Sequence, residues 1–348
     1  MLIEYPQKAA IAPTIIAIFL IFLNSFFFSK ERLQRTIPNS KVSEINLVII
    51  GEGEQKIIND LYIKNISNVY IGGVIQNKIN NTYNFSSSPT EVKIVFYNYI
   101  HSCYEMFYGQ SNIKEIDLSG FYSIYVTSIS YMFYYCSSLV SINLVNFGSN
   151  HLKSMDSTFR MCNSLTYINL HNFNTINVET MKFLFKGCNS LENLDLSNFN
   201  TRNVYSMWSM FEGCNSLKSL NLLHFVTSQV SDFDSMFSGC GNLESLNLSS
   251  FRTSLAIYMD NMFNSCSQLT ELDISNFDTS NVIYIYSMFN GCSNLNSLNI
   301  SHFNTHLIKS TSSMFKDCSK LKIIDLSNFD TSSVIAMDDM FSNCYSLN

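Results

Sequence analysis

The chain has 348 residues, of which 46% are hydrophobic, and a formal net charge of -6 at pH 7. The acidic excess lies after residue 99, because residues 1–99 carry nine Lys and Arg against seven Asp and Glu. Nucleic-acid binding requires a concentrated basic surface, so this distribution excludes nucleic acid as an expected partner.

An apolar segment lies near the N-terminus, within residues 1–29. The twenty residues from Ala9 to Phe28 carry no charge, which is enough for a membrane-spanning helix, so we expect the membrane as a partner. A cleaved signal peptide is the alternative, although no A-x-A site follows the segment. Lys30, Arg32 and Arg35 after the segment favour a cytosolic position for the rest of the chain. Large domains cross membranes regardless of such charges, so both orientations stay open.

The next residues divide into a linker and a small β-rich region. Residues 30–43 are polar and read as a linker. Residues 44–99 contain the runs INLVII, NVYIGGVI and EVKIVFYN, separated by turn-prone GEGE, GG and SSSPT. We interpret this region as a β-rich cap, which a repeat array needs because its end coil otherwise exposes an apolar stacking face.

From residue 100 to residue 348 the sequence repeats every 26 residues, and the last repeat is incomplete. One cysteine marks each period: Cys136, Cys162, Cys188, Cys214, Cys240, Cys266, Cys292, Cys318 and Cys344. A phenylalanine stands three residues before each of these cysteines. A period kept this strictly predicts a stack of equivalent coils, with like side chains meeting from coil to coil.

Each repeat contains two predicted elements. In the repeat that starts at Val178, apolar residues up to Cys188 follow at i, i+3, i+6, i+7 and i+10, which predicts one face of a short helix. The following L-x-x-L-x-L stretch, from Leu191 to Leu196, predicts a short strand. The column that contains Thr201 always has a hydroxyl residue, which we interpret as a helix cap or a Ser/Thr turn.

This pattern predicts an α/β repeat solenoid of the leucine-rich-repeat class. Parallel strands stack about 4.8 Å apart, whereas helices need about 10 Å, so the stack should bend. We expect a right-handed curved solenoid with short parallel strands on the concave side and short helices on the convex side, preceded by the β cap.

The segments MFNSCSQLTELDISNFDTSNV and MFKDCSKLKIIDLSNFDTSSV closely resemble the 26-residue repeat of BspA-like leucine-rich-repeat surface proteins. The resemblance covers roughly residues 100–348. It implies the leucine-rich-repeat fold and a binding role at microbial cell surfaces, in adhesion or co-aggregation, and it implies no catalytic residue. The chain departs from the repeat at Gln110, Ala256 and Thr311, where we expect locally weaker coils.

The cysteine column allows three chemical interpretations besides burial. Disulfides between neighbouring coils need Cβ atoms that face each other, whereas stacked side chains point in parallel. A zinc site needs ligands that converge at CxxC or His spacing, and a catalytic thiol needs a base in an accessible, electropositive site. We therefore expect small buried thiols and no metal, cofactor or catalytic residue.

The outward positions of the predicted strands form the candidate binding face. Between two buried Leu/Ile columns lies a polar, mildly acidic column: Asp117, Asn143, Asn169, Asp195, Asn221, Asn247, Asp273, Asn299 and Asp325. Such a surface suits an extended protein or glycan ligand. The alternative is that these side chains only hydrogen-bond to their neighbours along the stack.

These features predict a non-enzymatic protein at the cell surface or outside the cell that binds a protein or glycan ligand through its concave strand face. The sequence shows no nucleophile–base pair, metal cluster or phosphate-binding loop. The alternative is a membrane-tethered interaction scaffold in the cytosol.

Overall fold

A computed structural model describes residues 43–348. Its elements are β1 (Ser43–Ile49), β2 (Gly53–Lys56), a 3₁₀ helix (Asp60–Asn65), β3 (Ile66–Ile71), β4 (Val74–Ile75), β5 (Thr82–Phe85), β6 (Thr90–Phe96), β7 (Ile113–Asp117), β8 (Ser141–Asn143), β9 (Tyr167–Asn169), β10 (Ser219–Asn221) and β11 (Ser245–Asn247). The described part of the chain is therefore repeat-rich, with many strands and a single short helix. It contains no helix with the length and apolar character needed to span a bilayer. The predicted membrane segment, residues 9–28, and nearly all of the linker lie outside the described residues.

The strand β1 lies in the middle of a seven-stranded sheet with the order β4-β3-β6-β1-β7-β8-β9. Ile45, Leu47 and Ile49 of β1 are buried, because alternate side chains of a strand point to the same face. The strand pairs antiparallel with β6, and β6 pairs antiparallel with β3. The buried face of this sheet is part of one hydrophobic core that continues into the repeats.

The first repeat strand, β7, joins the β-rich region to the repeats. It pairs antiparallel with β1, where Leu47 lies opposite Ile116, and parallel with β8, where Ile116 lies opposite Ile142. Pairing with β1 occupies the edge of β7 that would otherwise present unpaired backbone groups. One continuous sheet therefore carries outward-facing residues from both regions.

Successive repeats lie side by side in parallel, in register at the 26-residue period. Leu220 of β10 lies opposite Leu246 of β11, and isolated parallel bridges link other positions 26 residues apart. The rings of the phenylalanine column, from Phe107 to Phe341, are stacked with centroids 5.3–5.9 Å apart. Like side chains therefore meet from coil to coil, as the period predicts.

The short helix predicted in each repeat is wrong, because this segment is a series of turns. In an α-helix every N–H bonds to the carbonyl four residues earlier. Here the N–H groups of Met210 and Cys214 bond to carbonyls three residues earlier, at 3.1 and 3.0 Å. The N–H groups of Phe211 and Gly213 instead bond to the next coil, at 3.0 Å to Met236 O and 2.7 Å to Ser238 O. Alternate amides therefore hold neighbouring coils together.

Two positions per repeat in this segment have left-handed backbone conformation. Ser209 has φ of 53° and Gly213 has φ of 74°, and the same two columns have positive φ throughout the array. Left-handed residues interrupt a right-handed helix. A glycine stands before the cysteine in four repeats (Gly187, Gly213, Gly239 and Gly291), and Gly109 stands before Gln110 in the first repeat. These glycines were the sequence signal against a helix, because glycine is unfavourable in a helix interior.

Instead of capping helices, the hydroxyl column joins coils, and the predicted Ser/Thr turn is present at Ser149, whose Oγ accepts the N–H of His151 at 2.8 Å. Thr227 Oγ1 donates to the carbonyl of Arg252 at 3.0 Å and accepts the N–H of Arg252 at 2.7 Å. The same reciprocal pair links Thr201 with Val226, at 2.9 and 2.8 Å. Both threonines are buried. One hydroxyl thus satisfies a backbone donor and a backbone acceptor of the following coil.

The expected bend of the stack rested on helices being wider than strands, and because these segments are turns, that reason no longer holds. A second phenylalanine column, which follows the strands from Phe121 to Phe199, has centroids 5.8–6.0 Å apart. The turn side has nearly the same spacing. Because the two sides have nearly the same spacing from coil to coil, the width of a helix does not enter the geometry.

The prediction of small buried thiols is confirmed along the column. Each main-column cysteine from Cys136 to Cys318 is buried, and each Sγ–H donates to a phenylalanine carbonyl 29 residues earlier, for example Cys188 to Phe159 at 3.1 Å. Burial raises the pKa of Cys136 and Cys240 to about 12. Cys344 is only partly buried.

Two departures from the repeat leave polar atoms unpaired. Gln110 replaces the cysteine of the first repeat and is 4% exposed, yet neither polar atom of its side-chain amide has a hydrogen-bond partner. The buried hydroxyl of Thr311 is also unpartnered. Each such group costs about 1–3 kcal/mol, so these coils are less well stabilised than their neighbours.

Candidate binding face

The nine candidate residues share one local role, which is to form an Asx turn; five of them end a strand (β7 to β11), and the other four occupy the equivalent position of repeats without an assigned strand. Each side-chain Oδ1 accepts the backbone N–H two residues later, at 2.9–3.2 Å. Asp and Asn suit this position because their short side chains reach their own backbone two residues on. The acceptors are Asp117, Asn143, Asn169, Asp195, Asn221, Asn247, Asp273, Asn299 and Asp325.

Only the first three members also bond along the stack. Asn143 Nδ2 donates to Asp117 Oδ1 at 3.0 Å, and Asn169 Nδ2 donates to Asn143 Oδ1 at 3.0 Å. These three side chains are half-buried, whereas the six later members are exposed. In every repeat, the candidate side chain therefore stabilises a turn of its own backbone. From Asp195 onward, these side chains are also exposed to solvent.

The turns also fix the charge of the exposed carboxylates. The N–H of Ser197 lowers the pKa of Asp195 below its ordinary value, because a hydrogen bond to the charged form favours ionisation. Ser275 has the same effect on the pKa of Asp273, and Ser327 on that of Asp325. The face therefore keeps its negative charge down to mildly acidic pH.

A shallow groove of about 610 Å³ runs over β11 and the equivalent segments of the next two repeats. Three of the nine candidates, Asn247, Asp273 and Asn299, line it together with the outward-facing Ser245 and Ser297. Ser219, Ser245 and Ser297 stand two residues before candidate positions, are exposed and take no part in the Asx turns. They are positions where the surface can be changed without breaking a turn.

A larger groove of about 820 Å³, here called the junction cleft, crosses the sheet where the β-rich region meets the repeats. Asp117 and Asn143 of the candidate column line it. Most of the remaining lining comes from outward positions of β1, β3, β6, β7, β8 and β9, among them Asn46, Tyr70, Glu91, Lys93, Glu115 and Tyr167. The other four candidates, Asn169, Asp195, Asn221 and Asp325, line neither groove.

Sequence reasoning missed the part of this surface that lies before the repeats. Asn46, Tyr70 and Lys93 are among the outward residues of INLVII, NVYIGGVI and EVKIVFYN. Period-2 alternation marks them as outward-facing. Nothing local indicates that β1 pairs with β7, however, so their continuity with the repeat strands was not visible.

A second polar cluster lies at the edge of the turn segment. Asp232, Asp234 and Asp260 come from neighbouring coils, and Asp260 is 4% exposed. Asp232 Oδ2 accepts from Ser206 Oγ at 3.1 Å, and Asp260 Oδ1 accepts from the N–H of Tyr286 at 3.0 Å. Within residues 43–348, no three His, Cys, Asp or Glu side chains are arranged to hold a metal ion.

Stability should fall as pH rises from about 4 to about 7. Burial, then the charges of Asp234 and Asp232, raise the pKa of Asp260 to about 7, against about 3.9 for an unfolded aspartate. Between these values the folded chain binds more protons than the unfolded chain, so the free energy of unfolding decreases with pH. Burial also raises the pKa of Asp232 and Asp234 and so acts in the same direction.

Thermal unfolding at pH 5 and pH 8 measures this effect. We expect a higher Tm at pH 5, by a few degrees, and a smaller difference in Asp260→Asn, whose amide oxygen still accepts the Tyr286 N–H. Asp273→Asn is the matched control, because its lowered pKa places its titration below this window. An unchanged pH difference in Asp260→Asn would contradict the assignment.

Comparisons with known proteins agree with a repeat organisation. A profile of the family described as "Mycoplasma protein of unknown function, DUF285" matches residues 81–166, 101–220, 153–271 and 239–348, which together span residues 81–348. No curated protein sequence matches the chain.

Two solved structures are similar to parts of the chain. One is a leucine rich cell surface protein from Faecalibacterium prausnitzii A2-165, with 17% identity, a TM-score of 0.27 and coverage of 73% of this chain and 88% of that chain. Another is the TLR13–ssRNA13 complex, with 14% identity, a TM-score of 0.22 and coverage of 68% of this chain and 46% of that chain.

Proposed function

Because the chain belongs to the family described as Mycoplasma protein of unknown function, DUF285, we propose that it is a non-enzymatic, surface-displayed repeat protein that binds a protein or glycan ligand. Binding takes place on the outward strand face, in adhesion or cell–cell interaction. The fold is a leucine-rich-repeat solenoid of the BspA-like kind with turns in place of helices, and Ala9–Phe28 holds the chain at the membrane.

The observation that carries this proposal is the exposed, charged strand face of the later repeats. Asp195 and Asp273 stay ionised because backbone N–H groups lower their pKa, and they lie on a face with polar, exposed serines. The buried residues of each coil pack against the neighbouring coils, whereas these exposed side chains project to solvent at equivalent positions of successive repeats. A repeated polar row suits an extended ligand that contacts several coils.

The test must change this face without breaking the Asx turns. Ser219→Arg with Ser245→Arg adds bulk and positive charge beside the candidate column. Ser228→Arg with Ser254→Arg is the matched control, since both serines are exposed and the same column already contains Arg202. The two double variants therefore have the same composition and net charge.

Binding of the full-length chain is measured against an immobilised panel of oligosaccharides and extracellular-matrix proteins. We expect at least one ligand whose affinity falls tenfold or more in the strand-face variant and less than twofold in the control. Equal losses in both variants, or a panel without a ligand, would count against the proposal.

A membrane-tethered cytosolic scaffold is the second candidate function. The basic residues Lys30, Arg32 and Arg35 after the apolar segment favour it, because positive charges tend to stay on the cytosolic side. Protease treatment of intact cells separates the two: digestion of the repeats supports surface display, and full protection supports the scaffold.

A further inference from the structure

The floor of the junction cleft is two rows of residues that cross the strands. The pairing places Tyr70, Lys93, Asn46, Asp117 and Asn143 in one row, in the order β3, β6, β1, β7, β8. It places Glu91, Val48, Glu115, Ser141 and Tyr167 in the second row, in the order β6, β1, β7, β8, β9. A ligand in the cleft would therefore run across the strands and contact both regions.

The cleft has an excess of negative charge. Its lysine, Lys93, is neutralised by Glu44, with Nζ 3.0 Å from the carboxylate. Glu115 is 3.9 Å from Lys114, and both side chains are more than 40% exposed, so this pair contributes little. Glu91 is exposed and has no ion pair among the described residues. Glu91, Glu115 and Asp117 together therefore favour a cationic ligand and disfavour an anionic one.

The two glutamates have a defined spacing. Both lie opposite Val48, Glu91 on β6 and Glu115 on β7, so two strand spacings separate them, or about 10 Å. In the polyproline II conformation, residues three apart share one face and lie about 9 Å apart. Two basic side chains at i and i+3 of such a segment would match the two carboxylates.

Aromatic rings stand at both ends of the cleft. Tyr70 lies on β3 and Tyr167, which is 59% exposed, lies on β9, five strand spacings away, or about 24 Å. A polyproline II segment of about eight residues spans this distance. Tyr70 is half-buried and Tyr167 is exposed, and accessible tyrosine rings are suitable contacts for proline, as in grooves that bind proline-rich segments.

We propose that the junction cleft binds an extended, basic, proline-rich peptide segment of a partner protein, with Lys or Arg at i and i+3 facing Glu91 and Glu115. This proposal names the partner chemistry at the N-terminal end of the strand face and rests on the proposed binding function. It commits to a peptide because two exposed carboxylates at one fixed spacing, with Glu115 only weakly paired to Lys114, select cations, which a neutral oligosaccharide does not offer.

The probe is a fluorescein-labelled octapeptide, Pro-Pro-Lys-Pro-Pro-Lys-Pro-Pro, titrated with the full-length chain at low salt. We expect Glu91→Gln with Glu115→Gln to weaken binding tenfold or more. Glu192→Gln with Glu244→Gln is the matched control and should change affinity less than twofold, because it removes the same charge from exposed positions away from the cleft. Raising the salt concentration should weaken binding of the unmodified chain.

A charge exchange gives a readout that loss of folding cannot imitate. The variant Glu91→Lys with Glu115→Lys should lose the lysine peptide and bind the corresponding peptide with glutamate at both positions. Equal binding of the lysine peptide by the cleft variant and the control would overturn the proposal, as would absence of binding by the unmodified chain at millimolar peptide. If only neutral oligosaccharides bind, the peptide assignment is also wrong.

The outcome for the cleft is distinguishable from the outcome for the strand face. Ser219 and Ser245 lie outside the cleft lining. A ligand lost in the Ser219→Arg and Ser245→Arg variant, together with no cleft-dependent peptide binding, would leave the proposed function standing and reject the peptide.

Discussion

Replacing Thr227 by valine is expected to lower the free energy of unfolding by about 2–6 kcal/mol. Valine keeps the shape of the side chain but removes the hydroxyl, which serves both the N–H and the carbonyl of Arg252. A buried donor or acceptor without a partner costs about 1–3 kcal/mol, and this change affects one of each. Chemical denaturation of the two proteins gives the difference directly.

Thr227→Ser is the control, because it keeps the hydroxyl and loses only a methyl group. We expect it to cost about 1 kcal/mol, close to the value of a buried methyl or methylene group. Ser123 and Ser149 already occupy this column in the first repeats and are buried there. If the valine variant were as stable as the serine variant, the hydroxyl would not be joining the coils.

Replacing Gly213 and Gly239 together by alanine should destabilise the chain by about 2–4 kcal/mol. Both residues have left-handed φ, at 74° and 72°, where a Cβ costs about 1–2 kcal/mol per residue. A Cβ on Gly239 would also approach the backbone of Gly213 at 3.4 Å. In a helix interior the same two changes would instead stabilise by about 2 kcal/mol, since alanine exceeds glycine by about 1 kcal/mol per position.

The opposite signs make this variant a direct test of the turn structure. Ser287→Gly is its control, at a position where serine already has φ of 53°. Relief of backbone strain there offsets the extra freedom of glycine in the unfolded chain, so we expect a change below about 0.5 kcal/mol. A rise in Tm of the double alanine variant would show that the segment is helical after all.

The register of the repeats could be predicted from sequence, because it depends only on the period. Cys188 and Cys214 occupy equivalent positions in neighbouring coils, as their thiol contacts with Phe159 and Phe185 show. A strict repeat with a buried face permits one pairing, since any slip would move the whole apolar set to solvent. The alternation of buried and outward-facing residues in β1 could be predicted for the same reason.

The turn segment could not be read in the same way. Val204, Met207, Met210, Phe211 and Cys214 are all fully buried, and their spacing suits a helical face. A series of consecutive turns buries side chains at the same spacing. The difference lies in where the amides bond, and half of them bond to a coil 25 residues away, which no local pattern reports.

For the candidate binding face too, some features could be predicted from sequence and others depend on the tertiary structure. The sequence by itself determined which residues point outward, because a strand alternates, and which residue types form Asx turns, because Asp and Asn reach their own backbone. Only the tertiary structure decided that β1 lies against β7, and so brought Glu91 and Glu115 to either side of Val48. That contact joins strands about 70 residues apart, and it exists because two sheet edges satisfy each other's backbone groups, a condition that no short stretch of sequence encodes.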